Sequence, residues 1–166
     1  MIKKLTFLLA FVTLACGTSQ TALSPQSVVL TGACPISANC ALELLPNQRM
    51  IITGDASGLQ YRLTAQPGTH VLRYKYDKIV KGNLQDAGYR EELLFEIPAA
   101  GPVDLKADGF GQTNMLFGRF CYCKGQTGYY RVSNGQLSID KNGTGQLNFT
   151  ILEVPQITNA ISFSLQ

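Results

Sequence analysis

Tryptophan is absent, histidine occurs once, and only 15% of the 166 residues are charged. The lone histidine, His70, would have to serve any Ser/His/Asp triad with partners that nothing in the chain marks. There is no Gly-x-Ser-x-Gly elbow and no Gly-x-x-x-x-Gly-Lys cradle, so neither an α/β-hydrolase nucleophile nor a phosphate loop is encoded. Basic surplus is missing as well. Of 14 basic residues, Lys3 and Lys4 lie in a segment read below as a removable leader, and the remaining 12 nearly balance 11 acidic ones. Nucleic acid is therefore not an expected partner, because phosphate neutralisation needs clustered cations. No apolar run is long enough for a membrane span, which needs roughly 20 residues; the one at the start of the chain is too short as well. Low charge combined with 16 glycines argues against charged amphipathic helices and for many turns.

What is present begins at the N-terminus. Lys3-Lys4 is a short positive start, Leu5–Ala15 is an apolar run of eleven residues broken only by Thr6 and Thr13, and Ala15-Cys16-Gly17 closes it with small residues around a cysteine. This is the layout of a secretory signal. The Thr13-Leu14-Ala15-Cys16 ending resembles the lipobox of bacterial lipoproteins. That resemblance implies that residues 1–15 are removed and that Cys16 is lipidated as the first residue of the mature chain. It also implies a membrane partner through the anchor, since each buried acyl methylene contributes roughly 0.8 kcal/mol. Gly17 after Cys16, rather than an aspartate, resembles outer-membrane cargo, which places the protein in the cell envelope facing the periplasm. The other reading is simple secretion or a periplasmic protein with a free Cys16. Residues 16–25 are expected to be a lipidated tether, and residues 26–166 one domain.

The mature segment reads as strand after strand. Gln26–Leu30, Cys40–Leu45, Arg49–Thr53 and Leu59–Thr64 are apolar runs separated by Pro46-Asn47 and by the Gly54–Gly58 loop. In His70–Asp77, Leu72, Tyr74 and Tyr76 share one face and Arg73, Lys75 and Asp77 the other. Tyr89–Ile97 is taken as a strand although Glu91-Glu92 could open a helical turn, and a short strand is expected near Val103–Leu105. Met115–Cys123, Tyr129–Ser133, Gln136–Asp140, Gln146–Val154 and Ala160–Leu165 complete the set. Asn134-Gly135 predicts a type I′ hairpin between its two flanking strands. The expected fold is all-β, a single antiparallel β-sandwich or small β-barrel of about ten strands.

Apart from Cys16, the chain has Cys34, Cys40, Cys121 and Cys123, an even set that reads as two disulfides in an exported domain. Three pairings are open. If Cys121 and Cys123 both lie in a strand, their Cα atoms stand roughly 6.6 Å apart, near the limit for a bridge. That favours joining the 34–40 loop to the 121–123 strand, with each bridge closing about 80 residues and contributing roughly 4 kcal/mol. A thiol redox or metal site on Cys121 and Cys123 is the least favoured reading, because the doubled Cys-x₂-Cys of zinc sites is lacking. No metal or other cofactor is expected.

Asp55 with Ser57 and Gly58 only faintly resembles a calcium loop and lacks its acidic repeat. Glu91, Glu92 and Glu96 could do acid/base work, but a solvated edge is the simpler reading. Tyrosines are the better lead: Tyr74, Tyr76, Tyr129 and Tyr130 are candidate ligand contacts, and consecutive Tyr129 and Tyr130 must face opposite ways if they lie on a strand. The expected function is a non-catalytic envelope lipoprotein that binds an envelope protein or a cell-wall component. The alternative is a β-barrel carrier or sensor for a lipid or glycan.

Overall fold

Short β-rich runs parted by turn residues bury one face each most simply by stacking two antiparallel sheets. The computed structural model describes residues 25–82 and 86–166, and has twelve strands and no α-helix among them. The signal-like segment and Cys16 lie outside the described residues. Numbered in chain order, the five-stranded sheet runs across as β1 (Val28–Leu30), β12 (Ala160–Leu165), β11 (Thr144–Thr150), β10 (Asn134–Ile139) and β7 (Val103–Lys106). The seven-stranded sheet runs as β2 (Ala38–Leu45), β5 (Thr69–Lys78), β6 (Tyr89–Pro98), β8 (Leu116–Cys121), β9 (Gly128–Arg131), β4 (Gly58–Ala65) and β3 (Gln48–Asp55). Together they form a sandwich and do not close into a barrel.

The main core lies between the sheets. Leu72, Leu93, Phe95 and Phe117 from the larger sheet meet Leu137, Leu147, Phe149 and Phe163 from the smaller. Ring pairs Phe95–Phe163 and Phe117–Phe149 span the gap at 6.2 and 6.1 Å between centroids. Phe110, on a 3₁₀ turn (Ala107–Thr113), is fully buried in the same core. On the far side of the larger sheet, the β3–β4 hairpin contributes Met50 to a second apolar layer with Val71 and Leu94, joined by Tyr61, Leu63 and Tyr129. β6, and β5 at Val71, are thus covered on both faces, which explains why β6 is buried almost without alternation.

The Asn134-Gly135 expectation is overturned. β9 ends at Arg131 in one sheet and β10 begins at Asn134 in the other, so the segment between them crosses the sandwich. Neither residue takes the left-handed backbone that a type I′ turn demands. Gly135 instead pairs with Phe149 inside the ladder, and a Cβ there would stand 2.6 Å from the Phe110 ring and from the Asn148 carbonyl oxygen. Its lack of a side chain serves close packing, not a turn. Pro46-Asn47, in contrast, is a turn as expected, with Asn47 at φ 53° between β2 and β3.

Candidate functional site

The sandwich has two unlike ends. β6 runs from Tyr89 to Pro98, roughly 30 Å of extended chain. At the Pro98 end, Pro25, the 98–102 loop, the 139–143 turn and Gln166 line a cleft of about 590 Å³. At the Tyr89 end four loop segments converge. Ala38 pairs with Lys78 and Asp77 with Arg90, which brings the 31–37 loop and Ile79 there. Tyr89 pairs with Cys121, which brings the 122–127 loop, and the 152–159 loop is bonded to Glu91.

Apolar side chains are concentrated at that second end. Among the described residues, six large hydrophobic ones are exposed: Ile36 at 100%, Tyr122 at 88%, Leu152 at 81%, Ile157 at 50%, and Ile79 and Val29 at 44% each. Five of the six, all but Val29 on β1, belong to the Tyr89 end. Exposed hydrophobics scattered singly need no explanation; these are gathered on loops at one end.

Each of these loops is pinned by its own covalent or hydrogen-bonded staple. The 31–37 loop is tied by a Cys34–Cys40 disulfide, with Cα atoms 5.8 Å apart, and by the Ala38 amide donating to the Pro35 carbonyl at 2.9 Å. The Ile79 amide donates to the Ser37 carbonyl at 2.8 Å. The 122–127 loop is closed by a Cys121–Cys123 disulfide, and Thr127 Oγ1 donates to the Cys121 carbonyl at 2.8 Å. The 152–159 loop is braced by Gln156. Its Oε1 accepts the Ile151 amide at 2.6 Å and its Nε2 donates to the Thr158 carbonyl at 2.8 Å.

Glu91 secures that last loop to the sheet. Fully buried, it accepts from the Ile157 amide at 2.6 Å, the Thr158 amide at 2.7 Å and the Tyr89 hydroxyl at 2.5 Å. Burial first, and then the carboxylate that the hydroxyl serves, push the Tyr89 phenol up to about 12, while Arg119 opposes the rise. Arg119 lies opposite Glu91 on β8, its guanidinium over the Tyr89 ring at 5.5 Å from the centroid, and it also bonds Gln126. Burial likewise raises the Tyr74 phenol, whose hydroxyl donates to Cys40 Sγ at 3.3 Å.

The solvated-edge expectation for the glutamates is corrected: Glu91 and Glu92 are both buried, on opposite faces of β6, and so form no carboxylate pair. Glu92 accepts the Tyr129 hydroxyl on the outer face. Gly118 makes room for the Tyr129 ring, since a Cβ there would come within 2.7 Å of it. Burial and then Glu92 raise the Tyr129 phenol. Glu96 Oε1 accepts the Met50 amide at 2.6 Å and Asn114 Nδ2 at 3.0 Å, tying the hairpin to the sheet. His70 is buried, and its Nδ1 accepts the Asn47 amide at 3.1 Å, which places any ring proton on Nε2. Asp55 accepts the Ser57 amide at 2.7 Å as the cap of the β3–β4 turn.

The tyrosines named from the sequence separate. Tyr74 and Tyr76 are buried in the main core and Tyr130 packs against it, whereas Tyr129 sits in the outer layer between Tyr61 and Phe120, 5.3 Å from each ring. Ile36, Ile79, Leu152 and Ile157 escaped the sequence reading. For Ile36 the available signal was an isolated apolar residue among turn formers, Pro35-Ile36-Ser37, whereas Leu152 was hidden in the expected strand Gln146–Val154, which ends at Thr150.

The cysteine pairing is also corrected, to two local bridges. The strand ends at Cys121 and the chain turns at once, so the Cys121 and Cys123 Cα atoms close to 5.2 Å, within disulfide range. Among the described residues, no group of three or more His, Cys, Asp or Glu is placed to hold a metal ion, and no helix is long and apolar enough to cross a membrane. No protein-family model, curated protein or solved structure matches the chain.

Proposed function

We propose that this chain is a non-catalytic envelope lipoprotein, anchored through lipid on Cys16, whose sandwich offers its Tyr89 end to another envelope protein. The observation that carries this reading is the confinement of five exposed hydrophobics to stapled loops at one end. Apolar and aromatic side chains are what protein interfaces bury at their energetic centres, and loops held rigid before contact lose little entropy on binding. The opposite end carries Pro25, where the described chain begins, so the segment from Cys16 enters roughly 30 Å from the proposed contact end. The anchor itself rests on Lys3-Lys4, the apolar run and Ala15-Cys16. Further support comes from what the polar groups do: His70, Glu91, Glu92 and Glu96 all accept hydrogen bonds that hold the scaffold together.

The test is site-specific photo-crosslinking in intact cells from Tyr122 and Leu152, with exposed Lys106 on β7 as control. The expected result is a defined protein adduct from the loop positions that Leu152→Asp abolishes when the crosslinker sits at Tyr122. Equal adducts from Lys106, no adduct at all, or co-sedimentation with purified cell wall in place of a protein adduct would overturn it. Cys16→Ser should remove both fatty-acid labelling and membrane retention.

A second reading is favoured by the cleft at the Pro98 end. Its volume of about 590 Å³ suits a small ligand, and Pro25, Pro98, Ala99 and Pro102 give it apolar walls. A bound lipid or glycan surviving in native mass spectrometry of the purified protein would support that reading.

A further inference from the structure

The two disulfides occupy different surroundings. Cys34 and Cys40 pack against the main core, and the Tyr74 hydroxyl donates to Cys40. Cys121 and Cys123 belong to neither apolar cluster and flank Tyr122, which is almost fully exposed. Lys124 to Thr127 are exposed as well, but so are Pro35 to Ser37 beside Cys34, and all four cysteines are half-buried; the difference lies in the core packed beneath Cys34 and Cys40. Thiol exchange requires a nucleophile to approach a sulfur atom in line with the bond it breaks, and a bridge backed by the core offers fewer such approaches than one outside it.

The local fold does not lean on the second bridge. Cys121 is held in register by pairing with Tyr89, its carbonyl accepts from Thr127 Oγ1 at 2.8 Å, and the Cys123 carbonyl accepts the Gln126 amide at 3.1 Å. A bridge between residues two apart also restrains the unfolded chain less than one spanning six. Two cations stand near: Lys124 follows Cys123, and Arg119 precedes Cys121 by two residues on the same face of β8. Positive charge of this kind favours the thiolate that must leave.

We propose that Cys121–Cys123 is a reversible thiol-exchange site for low-molecular-weight thiols, while Cys34–Cys40 is structural. A thiolate attacks one of the two sulfurs. The new mixed disulfide forms as the Cys121–Cys123 bond breaks, and the electron pair leaves on the other cysteine as a thiolate. A second thiolate then attacks the sulfur of the bound small thiol. The small-molecule disulfide departs, and both protein thiolates take protons from water. Two thiols are oxidised and one protein disulfide is reduced, so electrons balance, and the reverse sequence restores the bridge. Tyr122 lies within this bridge, so opening it would loosen one loop of the proposed contact end, but the exchange itself needs no bound partner.

The experiment uses the full chain, purified oxidised in detergent and exposed to graded reduced glutathione. Aliquots are quenched with an alkylating agent, mapped by peptide mass and followed in parallel by circular dichroism. The expected result is labelling of Cys121 and Cys123 at glutathione concentrations at least tenfold below those that open Cys34–Cys40, with the β spectrum unchanged. Equal or earlier opening of Cys34–Cys40, loss of the spectrum as Cys121–Cys123 opens, or free thiols at 121 and 123 in the oxidised starting material would each overturn the proposal. The double variant Cys121→Ser/Cys123→Ser should stay folded and lose the early labelling. Its failure to fold would assign that bridge a structural role and refute the proposal.

Discussion

Removing the Glu91 carboxylate tests whether the 152–159 loop is fastened by the sheet. In Glu91→Ala three donors lose their acceptor at once: the Thr158 amide, the Ile157 amide and the Tyr89 hydroxyl. Thr158 is buried, so its amide finds no water and bears a loss of about 2–3 kcal/mol. Ile157 is half exposed, and its amide recovers much of its loss by hydration. With the side-chain methylenes also gone from a closed site, the total is about 4 kcal/mol. Relief of the charge's desolvation offsets part of it, as happens when buried ions are removed. Glu91→Gln keeps the shape but turns a donor toward one of the two amides, and should cost about 2 kcal/mol. Urea unfolding followed by circular dichroism reads both. With a slope of about 2 kcal/mol per molar, the alanine variant lowers the midpoint by about 2 M. Limited proteolysis should show new cleavage between residues 152 and 159. As a control, Glu43→Gln breaks the partly exposed ion pair with Arg73 and should shift stability by less than about 0.5 kcal/mol. A midpoint within about 0.5 M of the parent for Glu91→Ala, together with an intact loop, would refute the reasoning.

Gly135→Ala should destabilise by about 1–3 kcal/mol, because the added methyl meets both the Phe110 ring and the Asn148 carbonyl; an unchanged thermal midpoint would show that Phe110 gives way. Alkali should weaken the fold. Unfolded Tyr89 releases its proton near its ordinary value of 10, whereas the folded phenol holds it to about 12, so between those pH values stability falls as pH rises. Tyr74 and Tyr129, also raised, act in the same direction. Tyr89→Phe should reduce the slope of urea midpoint against pH, and an unaltered slope would disprove its share.

The parts of the fold legible in the sequence were those where one face of a strand meets water. β5 shows this: Leu72, Tyr74 and Tyr76 point inward while Arg73 and Lys75 point out. β6 hid its nature because the β3–β4 hairpin covers its second face, so Glu91 and Glu92 looked like surface residues within an apolar run. Beyond Tyr89 on the same strand, only tertiary structure supplies their partners, 37 residues away for Glu92 and 66 or 67 for Glu91. Asn134-Gly135 misled because glycine has two uses, left-handed turns and close approach, and local spacing cannot separate them. The cysteines misled through a strand assumed two residues too long: extending it to Cys123 disfavoured the bridge that forms when the chain turns after Cys121. The exposed end was illegible for a related reason. Whether an isolated Ile36 or Leu152 is buried depends on which loops gather at one pole of the sandwich.

The route by which load would pass through this chain follows from the first strand. A pull applied at Pro25 acts along β1, whose hydrogen bonds to β12 lie across the direction of pull. They are loaded together in shear, so they must fail as a group and not one after another. They include the Gln26 amide on the Gln166 carbonyl at 2.8 Å and the Thr31 amide on the Ser162 carbonyl at 2.9 Å. Should they fail, the tension meets a covalent stop. The Cys34–Cys40 bridge passes the force directly into β2, shields residues 35–39 from stretching and spreads the strain into the β2–β5 ladder. A domain held at one pole and engaged at the other would thus carry tension lengthwise through its sheets, with a sulfur crosslink as the backstop between the edge strand and the interior.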